Sequence, residues 1–118
     1  MLEKVKKESE TYYFSKEIPE IDDIKKMEYY DCISKETLRH FSPLPSTEIR
    51  LAKEDHTVGD IKIRKGDYVT ANVFYNWFNP KYFEDPEKYN PDRWLDGKGQ
   101  GDPYAFSPFW AGPRNCIG

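Results

Sequence analysis

The chain has 118 residues and a formal net charge of −3, and 33% of its residues are charged. The negative balance and the lack of a basic stripe exclude nucleic acid as a partner class. Leu, Ile, Val and Phe together number 24, which is thin apolar material for an independent single-domain core.

The cysteine spacing and the apolar runs exclude several further classes. Cys32 and Cys116 lie 84 positions apart, without a C-x-x-C pair or clustered histidines. Neither a structural zinc site nor a disulfide framework is therefore indicated. No apolar run approaches the length of a membrane span, and residues 1–10 are too charged to form a signal sequence.

Three helices are predicted in the first third of the chain. Residues 2–14 are mostly charged with a few apolar positions, and this pattern predicts the end of a weak helix. Pro19, followed by Ile21, Asp22, Asp23 and Ile24, predicts the start of a short helix, because acidic side chains favour a first helical turn. The strongest helix is predicted over Tyr29–Phe41, and it ends before Pro43.

One face of this strongest helix carries a carboxylate among apolar residues. Tyr29, Ile33 and Glu36 fall at positions i, i+4 and i+7. A carboxylate on that face needs a partner, and Arg39, three residues on, is the nearest candidate. An exposed pair at this spacing contributes only about 0.2–0.5 kcal/mol, so the pair carries weight only if it is buried.

The remaining candidates for metal binding have simpler interpretations. Cys32 is most simply a small apolar residue of the helix. His40 and His56 are rival ligands, but a single histidine is more often structural or solvated.

The apolar period changes to two between residues 48 and 75, which predicts a small, mostly antiparallel sheet. The alternating apolar positions are Ile49, Leu51, Ile61 and Ile63. Asp55 and Gly59 mark bends, Lys65–Asp67 predicts a hairpin turn, and Tyr68–Tyr75 is the longest predicted strand.

The chain beyond this sheet is predicted to be irregular. Residues 76–94 contain three prolines among aromatic residues, which indicates irregular but packed structure. Residues 96–103 read DGKGQGDP and predict a flexible surface loop. The sequence contains no internal repeat.

Residues 109–118, called the cysteine loop below, read F-x-x-G-x-R-x-C-x-G without a mismatch. This stretch resembles the loop that carries the haem ligand in the cytochrome P450 family of haem-thiolate monooxygenases. A thiolate at Cys116 needs N–H donors nearby, and the backbone of Ile117 and Gly118 can supply them. Phe109 can cover the sulfur and keep water away. The alternative interpretation is an ordinary turn that holds a buried free cysteine.

The other fixed positions of the loop have physical reasons of their own. Gly112 and Gly118 let the backbone turn tightly and pass flat beneath a porphyrin, where a Cβ would collide. Pro113 stiffens the loop between them. Arg114, two residues before the cysteine, can reach a haem propionate with a charge-assisted hydrogen bond.

Two further motifs are similar to the same family. Residues 36–39 match the E-x-x-R helix motif, and residues 89–94 match an aromatic-x-Pro-x-Arg-aromatic segment. The resemblance implies a buried ion network of Glu36, Arg39 and Arg93 that locks the irregular segment, or meander, and the cysteine loop. Removing one member of such a buried network costs about 3–5 kcal/mol.

The proline-rich linker of residues 41–50 also resembles the family. It implies that Arg50 reaches a haem propionate, with an exposed strand arginine as an equally weighted alternative. The chain departs mildly from the family pattern at several positions, among them Asp92 and Trp94 in the second motif.

The resemblance predicts an α+β fold: a helix with E-x-x-R, a small mostly antiparallel sheet, an irregular meander and the cysteine loop. It covers about residues 19–118, which correspond to the last third or so of a complete family member. Residues 1–118 are therefore expected to be the C-terminal portion of a cytochrome P450 domain, truncated at both ends and not a complete domain.

The resemblance further implies the chemistry of the parent protein. It is expected to bind haem b (iron protoporphyrin IX) through Cys116 and to insert one atom of O2 into a small lipophilic substrate. Electrons come from an NADPH-dependent reductase or another donor. A eukaryotic parent is expected at the endoplasmic reticulum membrane, held only by an N-terminal anchor missing from this chain, and a bacterial parent in the cytoplasm.

Two alternatives to a monooxygenase remain open at this point. The first is that the 118-residue chain is a non-catalytic fragment, inactive by itself. The second is a haem-thiolate isomerase or peroxygenase, which shares the cysteine loop but bypasses the reductase.

Overall fold

The computed structural model describes residues 1–12, 18, 20–44, 46, 48–97, 99 and 101–117. Its helices are α1 (Leu2–Tyr12), α2 (Ile21–Ile24), α3 (Glu28–Phe41) and α4 (Phe74–Trp77). Its strands are β1 (Arg50–Leu51), β2 (His56–Val58), β3 (Ile61–Ile63) and β4 (Tyr68–Val69), and a 3₁₀ segment spans Pro91–Gly97. This mixture of helices and short antiparallel pairs confirms the predicted α+β class.

Helix α3 is the central element, and it begins one residue before the predicted start. Its buried residues recur every three or four positions, at Tyr29, Cys32, Glu36 and Arg39, as the predicted apolar face requires. The helix ends at Phe41 because Ser42, which precedes a proline, adopts an extended conformation with ψ 134°.

The first turn of α3 is capped by a residue from another helix. The N-cap residue Met27 makes no capping bond with its side chain. Instead, the Glu8 carboxylate of α1 accepts hydrogen bonds from the backbone N–H groups of Tyr29 and Tyr30, at 2.6 and 3.1 Å. These groups have no partner inside the helix, so Glu8 fixes α1 against the start of α3.

The strands pair differently from the prediction. The turn at Lys65–Asp67 exists, but β3 pairs with β2, and β4 pairs with β1. The predicted hairpin between β3 and β4 is therefore wrong. The hairpin present joins β2 to β3 across Gly59, which has φ 58°.

The predicted long strand over Tyr68–Tyr75 is also wrong. Strand β4 stops at Val69 because its partner β1 has only two residues, Arg50 and Leu51. The Asn72 side chain then accepts a hydrogen bond from the Phe74 N–H at 3.1 Å, and α4 begins there.

The core lies between α3 and the meander. Tyr29, Cys32, Phe83 and Trp94 form its buried centre. Partly buried residues from α1, α3, the meander and the chain before the cysteine loop pack around it, among them Val5, Ile33, Tyr82, Leu95 and Phe106. Within the described ranges, no helix is long and apolar enough to cross a bilayer.

Candidate functional site

Glu36 is the centre of the polar network beneath α3. Its side chain is fully buried and accepts hydrogen bonds on both oxygens. Arg39 donates through Nε and Nη2 at 3.0 and 2.9 Å, and Arg93 donates through Nε at 3.1 Å. The Asn90 backbone N–H and the Trp94 indole Nε1 donate at 2.8 and 2.9 Å. The structure therefore brings together the three residues of the predicted network and adds two donors.

The Glu36 carboxylate is ionised in spite of its burial. Burial alone raises the pKa of Glu36, but the hydrogen bonds from Arg39, Asn90 and Trp94 outweigh it and lower the pKa from 4.5 to about 2. The carboxylate therefore provides a permanent negative charge for the two guanidinium groups around it.

Arg39 ties the helix to the start of the meander. Its fully buried guanidinium donates through Nη1 to the carbonyl oxygens of Trp77 and Pro86, at 2.7 and 2.8 Å. It also lies over the rings of Phe78 and Phe83, 5.3 and 5.2 Å from their centroids. These contacts hold two separate points of the meander against α3.

Arg93 ties the 3₁₀ segment to the later part of the meander. Its Nη1 donates to the Glu84 carbonyl at 2.8 Å, and its Nη2 donates to the carbonyls of Lys88 and Asp85, at 3.1 and 3.3 Å. Asp85 has a positive φ of 44°, so the chain turns sharply where Arg93 holds it. Carbonyl oxygens on this irregular segment have no strand partner, and the two arginines satisfy several of them.

A second polar cluster fastens α1 to the same region. Lys4 Nζ donates to both oxygens of Asp92 at 2.9 Å, and the Tyr29 hydroxyl donates to Asp92 at 2.8 Å. Burial and the hydrogen bond to Asp92 raise the pKa of Tyr29 to about 12. The hydrogen bonds from Lys4 and Tyr29 lower the pKa of Asp92. The Glu8 cap and the Lys4–Asp92 pair join residues far apart in the sequence, so its local patterns gave no signal for them.

The rival ligands lie in unremarkable surroundings. His40 packs against the rings of Phe78 and Tyr89, and its Nε2 lies 3.7 Å from Glu36 Oε1 without a hydrogen bond. His56 is exposed and lies 3.0 Å from a backbone carbonyl. Burial, followed by the charge of Asp31, raises the pKa of the buried Cys32 thiol. In the described part of the chain, no three His, Cys, Asp or Glu side chains form a group that could hold a metal ion.

The cysteine loop folds back on itself. The Cys116 backbone N–H donates to the Phe109 carbonyl at 2.9 Å, and the Asn115 N–H donates to the Gly112 carbonyl at 3.2 Å. Gly112 has φ 86°, a conformation that favours glycine. The Cys116 thiol is exposed, as are residues 111–117, and Gly118 lies outside the described residues.

Cys116 opens onto a hollow of about 560 Å³ between the end of α3 and the cysteine loop. Most of the lining is apolar or aromatic, and it includes Leu38, Leu44, Pro108, Phe109 and Trp110. The charged residues Arg114 and Glu48 also line the hollow. A soft sulfur donor, apolar walls and an arginine fit a flat apolar cofactor with a metal at its centre and acidic groups at its edge.

Arg50 is not placed on this hollow. Its guanidinium pairs with Glu48 at 3.4 Å and is about half exposed, at the start of β1. Of the predicted cofactor contacts, the structure thus gathers Phe109, Gly112, Arg114 and Cys116 in one loop. Among the described residues, Arg50 contacts that region through Glu48.

Comparison with known proteins gives one consistent family. The family model described as Cytochrome P450 matches residues 1–118, so the predicted start of the resemblance near residue 19 is wrong and α1 belongs to the family as well. The chain is 44% identical to cytochrome P450 4V2 of Mus musculus over 99 residues, which is 83% of this chain and 19% of the relative. It is 42% identical to cytochrome P450 3A31 of Mesocricetus auratus over 101 residues, covering 85% of this chain and 20% of the relative. It is also 37% identical to cytochrome P450 3A5 of Homo sapiens over 116 residues, covering 98% and 23% respectively. The chain spans about a fifth of the length of these curated relatives.

Proposed function

Because this chain belongs to the cytochrome P450 family, we propose that its parent protein is a haem-thiolate monooxygenase in which Cys116 is the iron ligand. Residues 1–118 correspond in this proposal to the C-terminal portion of the family's domain. The observation that carries it is the exposed Cys116 thiol on an apolar hollow, within a loop that follows the family motif at each fixed position.

Each residue of the cysteine loop has a different role in holding haem b. Cys116 supplies the thiolate, and the backbone N–H of Ile117 supplies a donor near the sulfur. The donor predicted at Gly118 lies outside the described residues. Arg114 reaches a propionate, and Gly112 allows the backbone a close approach. Phe109 is 54% exposed beside the exposed thiol, so it limits access of water only if it packs over the sulfur when haem binds. Arg50 is a further candidate for a propionate, once it releases Glu48. When bound, the haem supplies the O2 chemistry by which one oxygen atom enters a C–H bond.

The Glu36 network has a supporting role in this proposal. Arg39 and Arg93 hold carbonyl oxygens of the meander around an ionised, buried carboxylate. A meander held in this way gives the cysteine loop a rigid base, which lowers the cost of ordering the ligand when haem binds.

The partners follow from the reaction class. The apolar lining of the hollow suits a small lipophilic substrate. The reaction requires electrons from an NADPH-dependent reductase or another donor. The mammalian relatives favour the endoplasmic reticulum membrane as the location of the parent.

The test is a cysteine exchange in the full-length protein. Cys116→Ala is expected to abolish the red-shifted Soret band of the ferrous carbon monoxide complex, because that band requires a thiolate ligand. Cys32→Ala is the matched control: Cys32 is buried in the core of α3, and its exchange should leave the band in place. A Cys116→Ala protein that keeps the band contradicts the proposal.

The 118-residue chain by itself is a separate case, and we propose that it is non-catalytic. Residues 111–117 are exposed, so the chain alone offers the ligand loop few packing contacts. Ordering such a loop around a cofactor costs about 1–2 kcal/mol per residue.

A further inference from the structure

Trp94 directly contacts two parts of the molecule, and among the described residues neither arginine of the network has a direct contact with both of them. Its indole Nε1 donates to Glu36 Oε2 at 2.9 Å, and its ring centroid lies 4.7 Å from that of Phe106. Phe106 belongs to residues 101–108, called the lead-in segment here, which run directly into the cysteine loop. Trp94 therefore reaches from the buried carboxylate to the chain that carries Cys116.

The arginines do not make this connection directly. The backbone carbonyls that accept from Arg39 and Arg93 lie between residues 77 and 88. In the described part of the chain, none of these acceptors lies in the lead-in segment or the cysteine loop. The arginines thus hold the meander directly, and they reach the lead-in segment only indirectly among the described residues, through Trp77, whose carbonyl accepts from Arg39 and whose ring packs on Phe106.

The chain packs closely on the Trp94 ring just before the lead-in segment. A Cβ added at Gly99 would lie 2.7 Å from Trp94 Cε3 and 2.9 Å from the Arg93 carbonyl oxygen. Only glycine fits this approach of backbone to indole. Trp94 is 4% exposed, and Phe83 packs against it with ring centroids 5.8 Å apart.

We propose that Trp94 is the positioning residue through which the Glu36 network holds the cysteine loop. The indole N–H fixes the ring against the ionised Glu36, and the ring fixes the lead-in segment through Phe106, with Gly99 packed on the ring just before that segment. A phenylalanine at this position keeps the ring contact with Phe106 and loses the hydrogen bond to Glu36. Trp94→Phe therefore tests the hydrogen bond separately from the ring contact. The inference rests on the proposed function, because the held loop is the one assigned to the haem.

Trp77 provides a matched control. Its ring centroid lies 5.7 Å from that of Phe106, so it touches the same lead-in residue. Its link to the network runs through its backbone carbonyl, which accepts from Arg39. Trp77→Phe therefore makes the same change of ring while keeping that hydrogen bond.

The experiment is hydrogen–deuterium exchange in the full-length protein, read peptide by peptide. Trp94→Phe is expected to raise exchange in residues 101–117 about tenfold, equivalent to about 1.4 kcal/mol, with α1 and the β2–β3 hairpin unchanged. Phe106→Leu should raise exchange in the same residues, and Trp77→Phe should raise it much less. The indole N–H of Trp94 should also be the slowest of the indole protons to exchange in a ¹⁵N spectrum.

Three outcomes overturn the proposal: no rise in residues 101–117 on Trp94→Phe, an equal rise along the whole chain, or an equal rise with Trp77→Phe. A merely structural tryptophan would give the second of these. None of them depends on the carbon monoxide spectrum of Cys116→Ala. A failed proposed function and a failed role for Trp94 are therefore distinguishable.

Discussion

Glu36→Gln keeps the size of the side chain and removes the charge on which the network depends. Arg39 is then fully buried beside a neutral amide, and Arg93 loses its counter-charge as well. The amide NH₂ also faces N–H groups that previously donated to a carboxylate oxygen. A buried pair broken in this way is expected to cost about 3–5 kcal/mol of unfolding free energy.

The pKa of Glu36 gives a second measure of the same quantity. A fall from 4.5 to about 2 on folding corresponds to about 3 kcal/mol, at about 1.4 kcal/mol per pH unit. Because the folded state favours the ionised form, this contribution is fully present above pH 4.5. It is lost as the pH falls towards about 2.

Urea unfolding followed by tryptophan fluorescence measures the effect at neutral pH and across the acid range. Glu48→Gln is the matched control, because Glu48 pairs with Arg50 at 3.4 Å on the exposed surface and such a pair contributes about 0–1 kcal/mol. The reasoning is refuted if Glu36→Gln costs no more than Glu48→Gln, or if the variant keeps the acid-dependent loss of stability of the native chain.

Three further predictions follow from other contacts. A double-mutant cycle on Glu36 and Arg93 in the full-length protein should give a coupling energy well above the ~0.5 kcal/mol of exposed pairs; additive, salt-sensitive effects would mean a surface interaction. Folding raises the pKa of Tyr29 from 10.0 to about 12. The contribution of Tyr29 to the unfolding free energy is therefore complete below pH 10 and is lost between pH 10 and about 12. Unfolding measured as a function of pH should show that Tyr29→Phe removes this loss of stability. Tyr30→Phe is the control and should keep it, because Tyr30 is half-exposed. Finally, residues 1–118 expressed with haemin should give no stoichiometric thiolate-type carbon monoxide difference spectrum, and such a spectrum, lost on Cys116→Ala, would show that this chain is a haem module by itself.

Local sequence determined the elements whose signals are local. The spacing of Tyr29, Ile33 and Glu36 predicted helix α3 and its buried face, and the proline after Ser42 predicted its end. The glycine, arginine and cysteine spacing of residues 109–118 identified the family resemblance. These predictions succeed because helical periodicity and a glycine at positive φ depend on a few neighbouring residues.

The tertiary structure decided which of these local elements meet. Sequence placed a turn at Lys65–Asp67 but joined the wrong strands across it, because strand pairing depends on partners distant in the chain. The Glu8 cap of α3 also depends on a partner distant in the chain, so local sequence did not predict it. Sequence left Arg50 equally weighted between a cofactor contact and an exposed strand arginine, and the fold pairs it with Glu48, which lines the hollow that Cys116 also lines.

Trp94 shows within a single residue what the sequence determines and what only the tertiary structure decides. From sequence it is a mild exchange of one aromatic residue for another, since its size and apolar character suit the position. In the fold its indole N–H meets the Glu36 carboxylate, 58 residues earlier in the chain. Sequence alone indicated that the aromatic residues of this segment would be packed. Only the tertiary structure decided that its single polar atom would face a buried charge, because the direction of a hydrogen bond depends on the packing of both partners.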